Sequence, residues 1–186
     1  MKYGLIGQKL GHSFSKDIHE KIGRYSYEHV ELELDEVGAF LEARDFDGLN
    51  VTMPYKQTVI PYLDELSDLA REVGAVNTIL NDNGRLKGYN TDAGGMKILF
   101  KDMKIDPAGK KVLIAGSGGT SRTAERVASD LGAAEIFRVS RSGRNGAITY
   151  EEAYRDHTDA RILINTTPAG MYPNVGGMAF DVDRFT

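Results

Sequence analysis

The chain has 186 residues, 41% of them hydrophobic, and a formal net charge of -4 at pH 7. This length predicts one large or two small domains, and the apolar share is sufficient for a packed core and too high for a disordered chain. Acidic and basic residues are interspersed, so the charge gives no reason to expect a nucleic-acid groove or an anionic membrane surface. The absence of cysteines excludes disulfides and thiolate zinc sites.

Two further classes of protein are not indicated. The N-terminal apolar stretch is too short for a signal peptide, and no segment approaches the roughly 18 apolar residues of a transmembrane helix. The four histidines have no metal-like spacing, so we assign no metal site. We therefore expect a cytoplasmic protein, monomeric or homodimeric, with no nucleic-acid or membrane partner.

Strand and helix patterns alternate in the first half of the chain. The strand candidates KYGLIG, YEHVELEL and GLNVT are separated by the helical patterns SKDIHEKIGRY and VGAFLEARDF. The stretch TVIPYLDELSDLAREVG is predicted to be one helix that ends at Gly74. Two strands, AVNTIL and RLKGYN, flank the turn NDNG, and the helical stretch TDAGGMKILFKDM follows them. This alternation predicts an α/β fold.

A second α/β unit begins at Lys110. The apolar run KKVLIAG is typical of a strand in a sheet that is covered on both faces. It leads into the loop GSGGTS, a helix that Gly132 ends, the strand AEIFRVSRS, the helical TYEEAYRDHT and the strand ARILINTTP. The order strand, glycine loop, helix, strand is typical of a doubly wound nucleotide-binding sheet.

The glycine loop favours nucleotide binding over an ordinary tight turn. Gly116, Gly118 and Gly119 precede the helix, whose N-terminus attracts anions such as a pyrophosphate. Ser121 stands where the G-x-G-x-x-G pattern has its third glycine, so the motif is incomplete.

The residues after the next strand indicate which dinucleotide would bind. An NAD site places Asp or Glu there, whereas this chain has Ser140, Arg141, Ser142 and Arg144. A guanidinium with neighbouring hydroxyls suits a 2′-phosphate, so NADP is favoured over NAD. The alternative is a solvated loop arginine.

The stretch GLNVTMPYKQ is unusually polar for the end of a buried strand. A solvated turn requires only Gly or Pro, but Asn50, Thr52 and Lys56 add hydrogen-bonding groups and a cation. The amide and the hydroxyl are suited to binding a polar ligand, and the lysine to transferring a proton. The alternative is that the lysine is only solvated, as surface lysines usually are.

Six short motifs carry a resemblance to a known family. In chain order they are GHSFS, GLNVTMPYK, GAVNTI, GYNTDAGG, LIAGSGGTS and NTTPAGMYP. With this order and spacing, the chain resembles the shikimate dehydrogenases of the shikimate/quinate dehydrogenase family over essentially its whole length. The resemblance implies reversible reduction of 3-dehydroshikimate to shikimate with NADPH, in aromatic amino-acid and chorismate biosynthesis.

The resemblance also implies a domain organisation. An N-terminal α/β substrate domain with a mostly parallel sheet, residues 1–94, is followed by a connecting helix and linker, residues 95–109. An incomplete Rossmann-type NADP-binding domain, residues 110–186, completes the chain. The active site is expected in the cleft between the two domains.

Two residues match the catalytic pair of the family. Lys56 would give a proton to the alkoxide that forms when hydride reaches the ketone, and would take it back in the oxidation direction. Asp92 would orient the lysine and bind a substrate hydroxyl. Its alternative role is to cap a helix that starts at Ala93.

The substrate contacts are likewise carried over from the family. Ser13 and Ser15 match its carboxylate-binding pair, although from the residues alone Ser15 is interpreted as a helix N-cap. The hydroxyls would be held by Asn50, Thr52 and Asn77 together with the catalytic aspartate, since amides both donate and accept. On its own, Asn77 suits a strand-end turn and Thr52 a helix cap.

The cofactor contacts implied by the resemblance lie after the three strands of the second unit. They are Gly116, Ser117, Gly118, Gly119, Thr120, Ser140, Arg141, Ser142, Arg144, Asn165, Thr166, Thr167 and Met171.

The chain departs from the family pattern in two places. Family members commonly have N-R-T where this chain reads SRSGRN, which shifts the spacing to Arg144. The family also continues beyond NTTPAGMYP, so we expect a chain that lacks the C-terminal part, with strand Arg161–Thr166 missing a neighbour. Two alternatives stay open: a non-catalytic module that binds a shikimate-like ligand or a nucleotide, and a quinate-accepting dehydrogenase.

Overall fold

The computed structural model describes residues 2–11 and 13–185. The chain forms two compact units, one extending to Thr91 and the other beginning at Asp92. Each unit is built around its own sheet, with six strands in the first and three in the second. The α/β fold class expected from the alternating patterns is confirmed.

Within its described residues, the first unit contains six strands and three helices. The strands are β1 (Tyr3–Gly7), β2 (Glu28–Glu31), β3 (Gly48–Val51), β4 (Glu65–Leu66), β5 (Thr78–Asp82) and β6 (Arg85–Tyr89). The helices are α1 (Ser15–Ile22), α2 (Glu36–Ala43) and α3 (Asp68–Val73), with a 3-10 turn at Ile60–Tyr62.

The first sheet has the order β2-β1-β3-β5-β6-β4. β1 is parallel to β2 and β3, β5 is antiparallel to β3 and β6, and β4 is parallel to β6. The carboxyl ends of β1, β2, β3 and β6 and the amino end of β5 therefore lie at one edge of the sheet. Residues just outside these strand ends are brought together there.

Alternating strand residues form the main core of this unit. Ile6, Val51 and Ile79 come from three neighbouring strands and are at most 2% exposed. They pack in one cluster with Val37 and Leu41, which project from the same face of α2. Since these side chains are apolar and removed from water, their burial is the main source of stability for the sheet.

The single long helix predicted for residues 58–74 is wrong. Pro61 lies in a short 3-10 turn, and the strand Glu65–Leu66 then pairs with β6. The helix α3 is a separate element that begins after Ser67, whose hydroxyl accepts from the Ala70 N–H at 3.2 Å. Glu65 and Leu66 pair with the open side of β6 and therefore form a strand. Local helix propensity is a weak determinant compared with such pairing. The end at Gly74 is confirmed, with φ of 65°.

The second unit, as far as residue 185, contains three strands and three helices. In chain order they are α4 (Asp92–Asp102), β7 (Lys111–Ala115), α5 (Gly119–Asp130), β8 (Glu135–Val139), α6 (Tyr150–Asp156) and β9 (Ile162–Asn165), followed by a 3-10 turn at Val182–Arg184. The sheet order is β8-β7-β9 and both pairings are parallel.

The central strand β7 is buried on both faces. Val112 and Ile114 pack against Ala124 on α5, whereas Leu113 packs on the other side of the sheet with Ala153 of α6. All five side chains are 0% exposed. The apolar run KKVLIAG therefore behaves as predicted for a strand that is covered on both faces.

Two features are absent from the described residues. None of the helices is long and apolar enough to cross a membrane. Within the same residues, which leave out His12, no three or more His, Cys, Asp and Glu side chains are grouped so that they could hold a metal ion.

Candidate functional site

Amide and hydroxyl side chains meet where β3 ends and β5 begins. Asn50 Oδ1 accepts a hydrogen bond from the Tyr27 hydroxyl at 2.7 Å. Asn50 Nδ2 lies 3.3 Å from Thr78 Oγ1 and 3.5 Å from the backbone oxygen of Asn77. We call Asn50, Asn77, Thr78 and Thr91 the first polar edge.

Asn77 holds this edge together. Its Oδ1 accepts from the backbone N–H of Thr91 at 2.9 Å and from the Thr78 hydroxyl at 3.1 Å. Its Nδ2 donates to Thr91 Oγ1 at 2.9 Å, and the residue is only 8% exposed. Asn77 thus fixes the residue that directly precedes Asp92 in the chain, which is more than a strand-end turn requires.

The two serines expected to bind a carboxylate are adjacent. Ser13 Oγ donates to Ser15 Oγ at 3.1 Å, and the backbone N–H of Ser15 donates to Ser13 Oγ at 3.2 Å. Both residues are half-buried. The interpretation of Ser15 as the N-cap is wrong, because the cap position is Phe14, with no side-chain cap, and Ser15 is the first helical residue. A pair of neighbouring hydroxyls is a suitable donor set for a carboxylate.

Thr52 and Lys56 occupy the turn that follows β3. The Thr52 N–H donates to the backbone oxygen of Ile6 at 2.9 Å, so the turn begins against β1. The backbone oxygen of Lys56 accepts from the Val76 N–H at 2.8 Å, directly beside Asn77 in the chain. No helix starts at Thr52, so its interpretation as a helix cap is wrong. Lys56 is half-buried at this end of the sheet.

Asp92 is the first residue of α4 and belongs to the second unit. The helix therefore begins at Asp92, one residue earlier than Ala93. The Asp92 side chain is half-buried. The helix has 11 residues and ends at Asp102.

The glycine loop follows β7 and requires glycine at its first position. Gly116 has φ of +123°, and a Cβ there would collide with the Thr166 hydroxyl. Gly118 is the N-cap of α5, and a Cβ on it would meet only open space. Ser117 and Gly118 are exposed. The first N–H groups of α5 have no acceptor within the helix, which suits them to an anion.

Ser121 explains why the third glycine of the motif is dispensable. Its side chain is 0% exposed, and its hydroxyl donates to the backbone oxygen of Gly118 at 2.7 Å. A small hydroxyl is therefore accommodated in the buried part of the first turn and satisfies a loop carbonyl. Gly119 and Thr120 form the first turn of α5 and are half-buried.

The loop after β8 is tied back to its own strand. Ser140 Oγ accepts from the Gly143 N–H at 3.1 Å, and the Ser140 N–H donates to the backbone oxygen of Ile148 at 2.9 Å. Arg141, Ser142 and Arg144 are exposed. The serine shapes the turn, and the exposed arginines are available to a phosphate.

The segment after β9 closes against β7. Thr166 donates from both its backbone N–H and its hydroxyl to the oxygen of Ala115, at 3.0 Å and 2.5 Å. Asn165 Oδ1 accepts from the N–H and the hydroxyl of Thr167, at 2.8 Å and 2.7 Å. Met171 is 53% exposed.

The three loops just described form a second polar edge, at the carboxyl ends of β7, β8 and β9. The chain passes from β7 to β8 on one side and later to β9 on the other, so the strand order reverses at β7. Ligands of open α/β sheets bind outside the carboxyl ends of the strands at such a reversal.

The sequence reasoning missed two residues of the first polar edge, Thr78 and Thr91, and a third residue, Tyr27, that contacts it. Tyr27, Thr78 and Thr91 all hydrogen-bond to Asn50 or Asn77. Tyr27 lies 23 positions from its partner, so no local pattern reveals the contact. Thr78 and Thr91 lie within or beside the quoted motifs GAVNTI and GYNTDAGG, and that adjacency was the only available signal.

Comparisons with known proteins agree on one family. The substrate-binding domain of shikimate dehydrogenases matches residues 5–79. A curated relative, shikimate dehydrogenase (NADP(+)) from Halothermothrix orenii, is 40% identical, with 94% of this chain aligned to 70% of the relative's length.

Solved structures give the same result. Shikimate dehydrogenase 1 from Peptoclostridium difficile superposes with a TM-score of 0.86 at 36% identity, covering 96% of this chain and 72% of that one. Shikimate 5-dehydrogenase from Thermus thermophilus, solved in complex with NADP(H) and shikimate, has a TM-score of 0.84 at 29% identity, covering 100% and 75%.

Proposed function

Because the chain belongs to the shikimate dehydrogenase family, we propose that it catalyses the NADP-dependent interconversion of 3-dehydroshikimate and shikimate. The observation that carries this proposal is the first polar edge, where Asn50 and Asn77 are held in one hydrogen-bonded network beside the turn of Lys56. Amides that are fixed in this way suit a ligand with neighbouring hydroxyl groups.

The substrate carboxylate is proposed to bind the Ser13 and Ser15 hydroxyls. These two oxygens lie 3.1 Å apart, so each hydroxyl can donate to one oxygen of the same carboxylate. Asn50, Asn77 and Thr52 would then contact the hydroxyl groups. The network around Asn77 orients the amides before the ligand arrives, which lowers the entropy that binding must overcome.

Lys56 is proposed to be the proton donor of the reduction. When a ketone becomes an alkoxide, the oxygen gains negative charge, and a nearby ammonium group can stabilise it and transfer a proton. In the oxidation direction the same nitrogen takes the proton back. Asp92 is assigned to orient the ammonium group and to bind a substrate hydroxyl, from the match to the family's catalytic pair.

The second polar edge fits a phosphorylated dinucleotide. Open space beside Gly118 at the start of α5 lets a pyrophosphate approach the backbone, and Gly116 permits the loop to turn there. Arg141 and Arg144, with the hydroxyls of Ser140 and Ser142, are the proposed partners of the 2′-phosphate. Bound NADP(H) supplies or accepts the hydride.

We assign the remaining cofactor contacts from the family as well. They are Ser117, Gly119, Thr120, Asn165, Thr166, Thr167 and Met171. The side chains of Asn165 and Thr166 are engaged in loop contacts, which supports a role in shaping this edge.

Domain roles follow the same reasoning. We propose that residues 1–94 bind substrate, that 95–109 connect the domains, and that 110–186 bind NADP. The match of the substrate-binding domain to residues 5–79 supports the first of these assignments. Both ligands are small molecules, and we propose a cytoplasmic enzyme that is monomeric or homodimeric and uses neither nucleic acid nor membrane.

An absorbance assay at the NADPH band tests the proposal. Oxidation of shikimate should reduce NADP+, with slower or no reaction when quinate replaces shikimate or NAD+ replaces NADP+. The Lys56→Ala variant serves as the matched blank. Calorimetric titration with shikimate accompanies the assay. A chain that neither binds shikimate nor reduces NADP+ contradicts the proposed function, and faster turnover of quinate would reassign the substrate.

A further inference from the structure

Tyr27 lies between the helix that carries Ser15 and the strand that carries Asn50, and it contacts both elements. Its side chain is 2% exposed. The ring stacks on the imidazole of His19 in α1, with centroids 4.1 Å apart and planes 10° from parallel. The Tyr27 N–H donates to Glu20 Oε1, also in α1, at 3.2 Å, and the hydroxyl donates to Asn50 Oδ1 at 2.7 Å.

The direction of the hydroxyl bond sets the orientation of the Asn50 amide. Burial, together with the neighbouring Tyr25, raises the pKa of the Tyr27 phenol above its ordinary value, so the phenol is protonated at neutral pH. The backbone oxygen of Asn77, which can only accept, faces the other end of the amide, so that end is Nδ2 and the carbonyl end accepts from the phenol. The Nδ2 end is left with two long contacts, 3.3 Å to Thr78 Oγ1 and 3.5 Å to the Asn77 oxygen.

Long contacts leave donor capacity for a ligand. Hydrogen bonds from amide nitrogen are commonly about 2.9–3.0 Å long, so contacts of 3.3 Å and 3.5 Å are weak. A substrate hydroxyl that approaches Asn50 can therefore accept from Nδ2 without breaking a strong bond. The Thr78 hydroxyl in turn donates to Asn77 Oδ1 at 3.1 Å, which continues the chain of contacts to the second amide.

We propose that Tyr27 is a positioning residue of the substrate site, which holds the Asn50 amide, and through Thr78 the Asn77 amide, in the orientation that binds substrate hydroxyls. Its stacking on His19 ties these amides to the helix that carries Ser15. Tyr27 itself does not touch the substrate. The inference rests on the proposed function for the identity of the ligand, but the effect on the amides does not depend on it.

Tyr27→Phe is the variant that tests the proposal, because it keeps the ring and the stack and removes only the hydroxyl. Tyr55→Phe is the matched control. Tyr55 is 0% exposed, and its hydroxyl donates to the backbone oxygen of Leu32, outside the polar edge. Binding is the primary readout, because Tyr55 directly precedes Lys56 in the chain.

Three measurements are made on the full chain and both variants. Thermal unfolding reports the structural cost, calorimetry gives the dissociation constant of shikimate, and NMR follows the side-chain amide signals of Asn50 and Asn77 without ligand. Tyr27→Phe should weaken shikimate about 3- to 10-fold, the scale of one hydrogen bond, and should shift both amide signals. Tyr55→Phe should lower the unfolding temperature but leave affinity and amide signals unchanged.

A double-mutant cycle sharpens the result. In an Asn50→Ala background, Tyr27→Phe should have no further effect on shikimate binding, because the hydroxyl acts through that amide. Unchanged affinity and amide signals in Tyr27→Phe would overturn the proposal, as would equal losses of affinity in both phenylalanine variants. If the unaltered chain does not bind shikimate, the proposed function fails, and the amide signals alone decide whether Tyr27 positions Asn50 and Asn77.

Discussion

The two polar edges present different kinds of groups to their proposed ligands. At the first edge, the groups proposed to bind the ligand are side chains that hydrogen-bond to one another, as Asn77 does to Thr91. At the second edge, a loop backbone with exposed Ser117 and Gly118 and an exposed Arg141 are presented to solvent. A change at the first edge is therefore transmitted along a network, whereas a change at the exposed Arg141 acts where it is made.

Binding costs differ accordingly. Ordered amides at the first edge lose little side-chain entropy when the ligand arrives, whereas an exposed arginine loses rotamer freedom when it pairs with a phosphate. The glycine loop is held at both ends, by the Gly116 N–H to the oxygen of Val139 and by the Ser121 hydroxyl to the oxygen of Gly118, so the pyrophosphate contact should have a smaller cost. The substrate edge is thus preorganised through side chains and the cofactor edge through its backbone.

The largest effect is expected at Lys56, the one proposed group that moves a proton. Lys56→Ala should lower kcat by about 10²- to 10⁴-fold, because a proton donor acts in the transition state, and should change KM much less. Steady-state kinetics with shikimate and NADP+ measure both constants.

Ser13→Ala is the matched comparison within the proposed substrate site. The Ser13 hydroxyl would bind the substrate carboxylate, which does not react. Removing this hydroxyl should therefore raise KM and leave kcat nearly unchanged. Near-normal kcat in the lysine variant would remove Lys56 from the mechanism.

The exposed arginine of the second edge is expected to have the next largest effect. Arg141→Ala should weaken NADP+ by about 1.5–3 kcal/mol, the scale of a hydrogen bond to a charged group, and leave NAD+ nearly unchanged. Titration of both dinucleotides against this variant and Arg144→Ala compares the two guanidiniums. Equal losses for NADP+ and NAD+ would mean that Arg141 does not touch the 2′-phosphate.

Two glycines of the same loop separate stability from binding. Gly116→Ala forces a side chain onto φ of +123° and against Thr166, so it should destabilise the chain by at least about 1 kcal/mol. Gly118→Ala meets no atom in the protein, so the unfolding temperature should hold while NADP+ affinity falls. Thermal unfolding and cofactor titration distinguish the two effects. Unimpaired NADP+ binding in Gly118→Ala would argue against a pyrophosphate beside this loop.

The smallest expected effect is on stability, from the pH-dependent ion pairs of Asp130 in the second unit. Asp130 lies 2.6 Å from both Lys97 of α4 and Arg126 of α5, and their hydrogen bonds hold its pKa below the ordinary 3.8. A lowered pKa in the folded state contributes stability that is complete above the unfolded value and is lost as pH falls through the folded one.

Asp130→Asn should therefore destabilise the chain by less than about 1 kcal/mol at pH 7, as is usual for exposed pairs. The difference from the unaltered chain should shrink below about pH 4, as the carboxylate becomes protonated. Thermal unfolding at several pH values measures it. A difference that persists unchanged at pH 3 would show that the ion pair is not its cause.

Sequence reasoning succeeded where a local pattern determines the structure. The run from β7 through the glycine loop into α5 is contiguous, and the turn NDNG adopts the positive φ values of 51° at Asn83 and 88° at Gly84 that such residues favour. It failed where a distant partner decides. The strand Glu65–Leu66 exists because β6 offers a pairing edge, and Tyr27 reaches Asn50 across 23 positions. Neither contact can be predicted from the periodicity of the local sequence.

An NMR titration of the full chain with shikimate alone and then with NADP+ alone tests the central claim most directly. The account predicts that shikimate shifts the backbone amide signals of Ser13, Asn50 and Asn77 and the side-chain amide signals of the two asparagines. It predicts that NADP+ shifts the backbone amide signals of the glycine loop and the backbone amide and guanidinium signals of Arg141. Shikimate that shifts no signal at the first polar edge, or shifts only signals of the second, would contradict the assignment of the two edges.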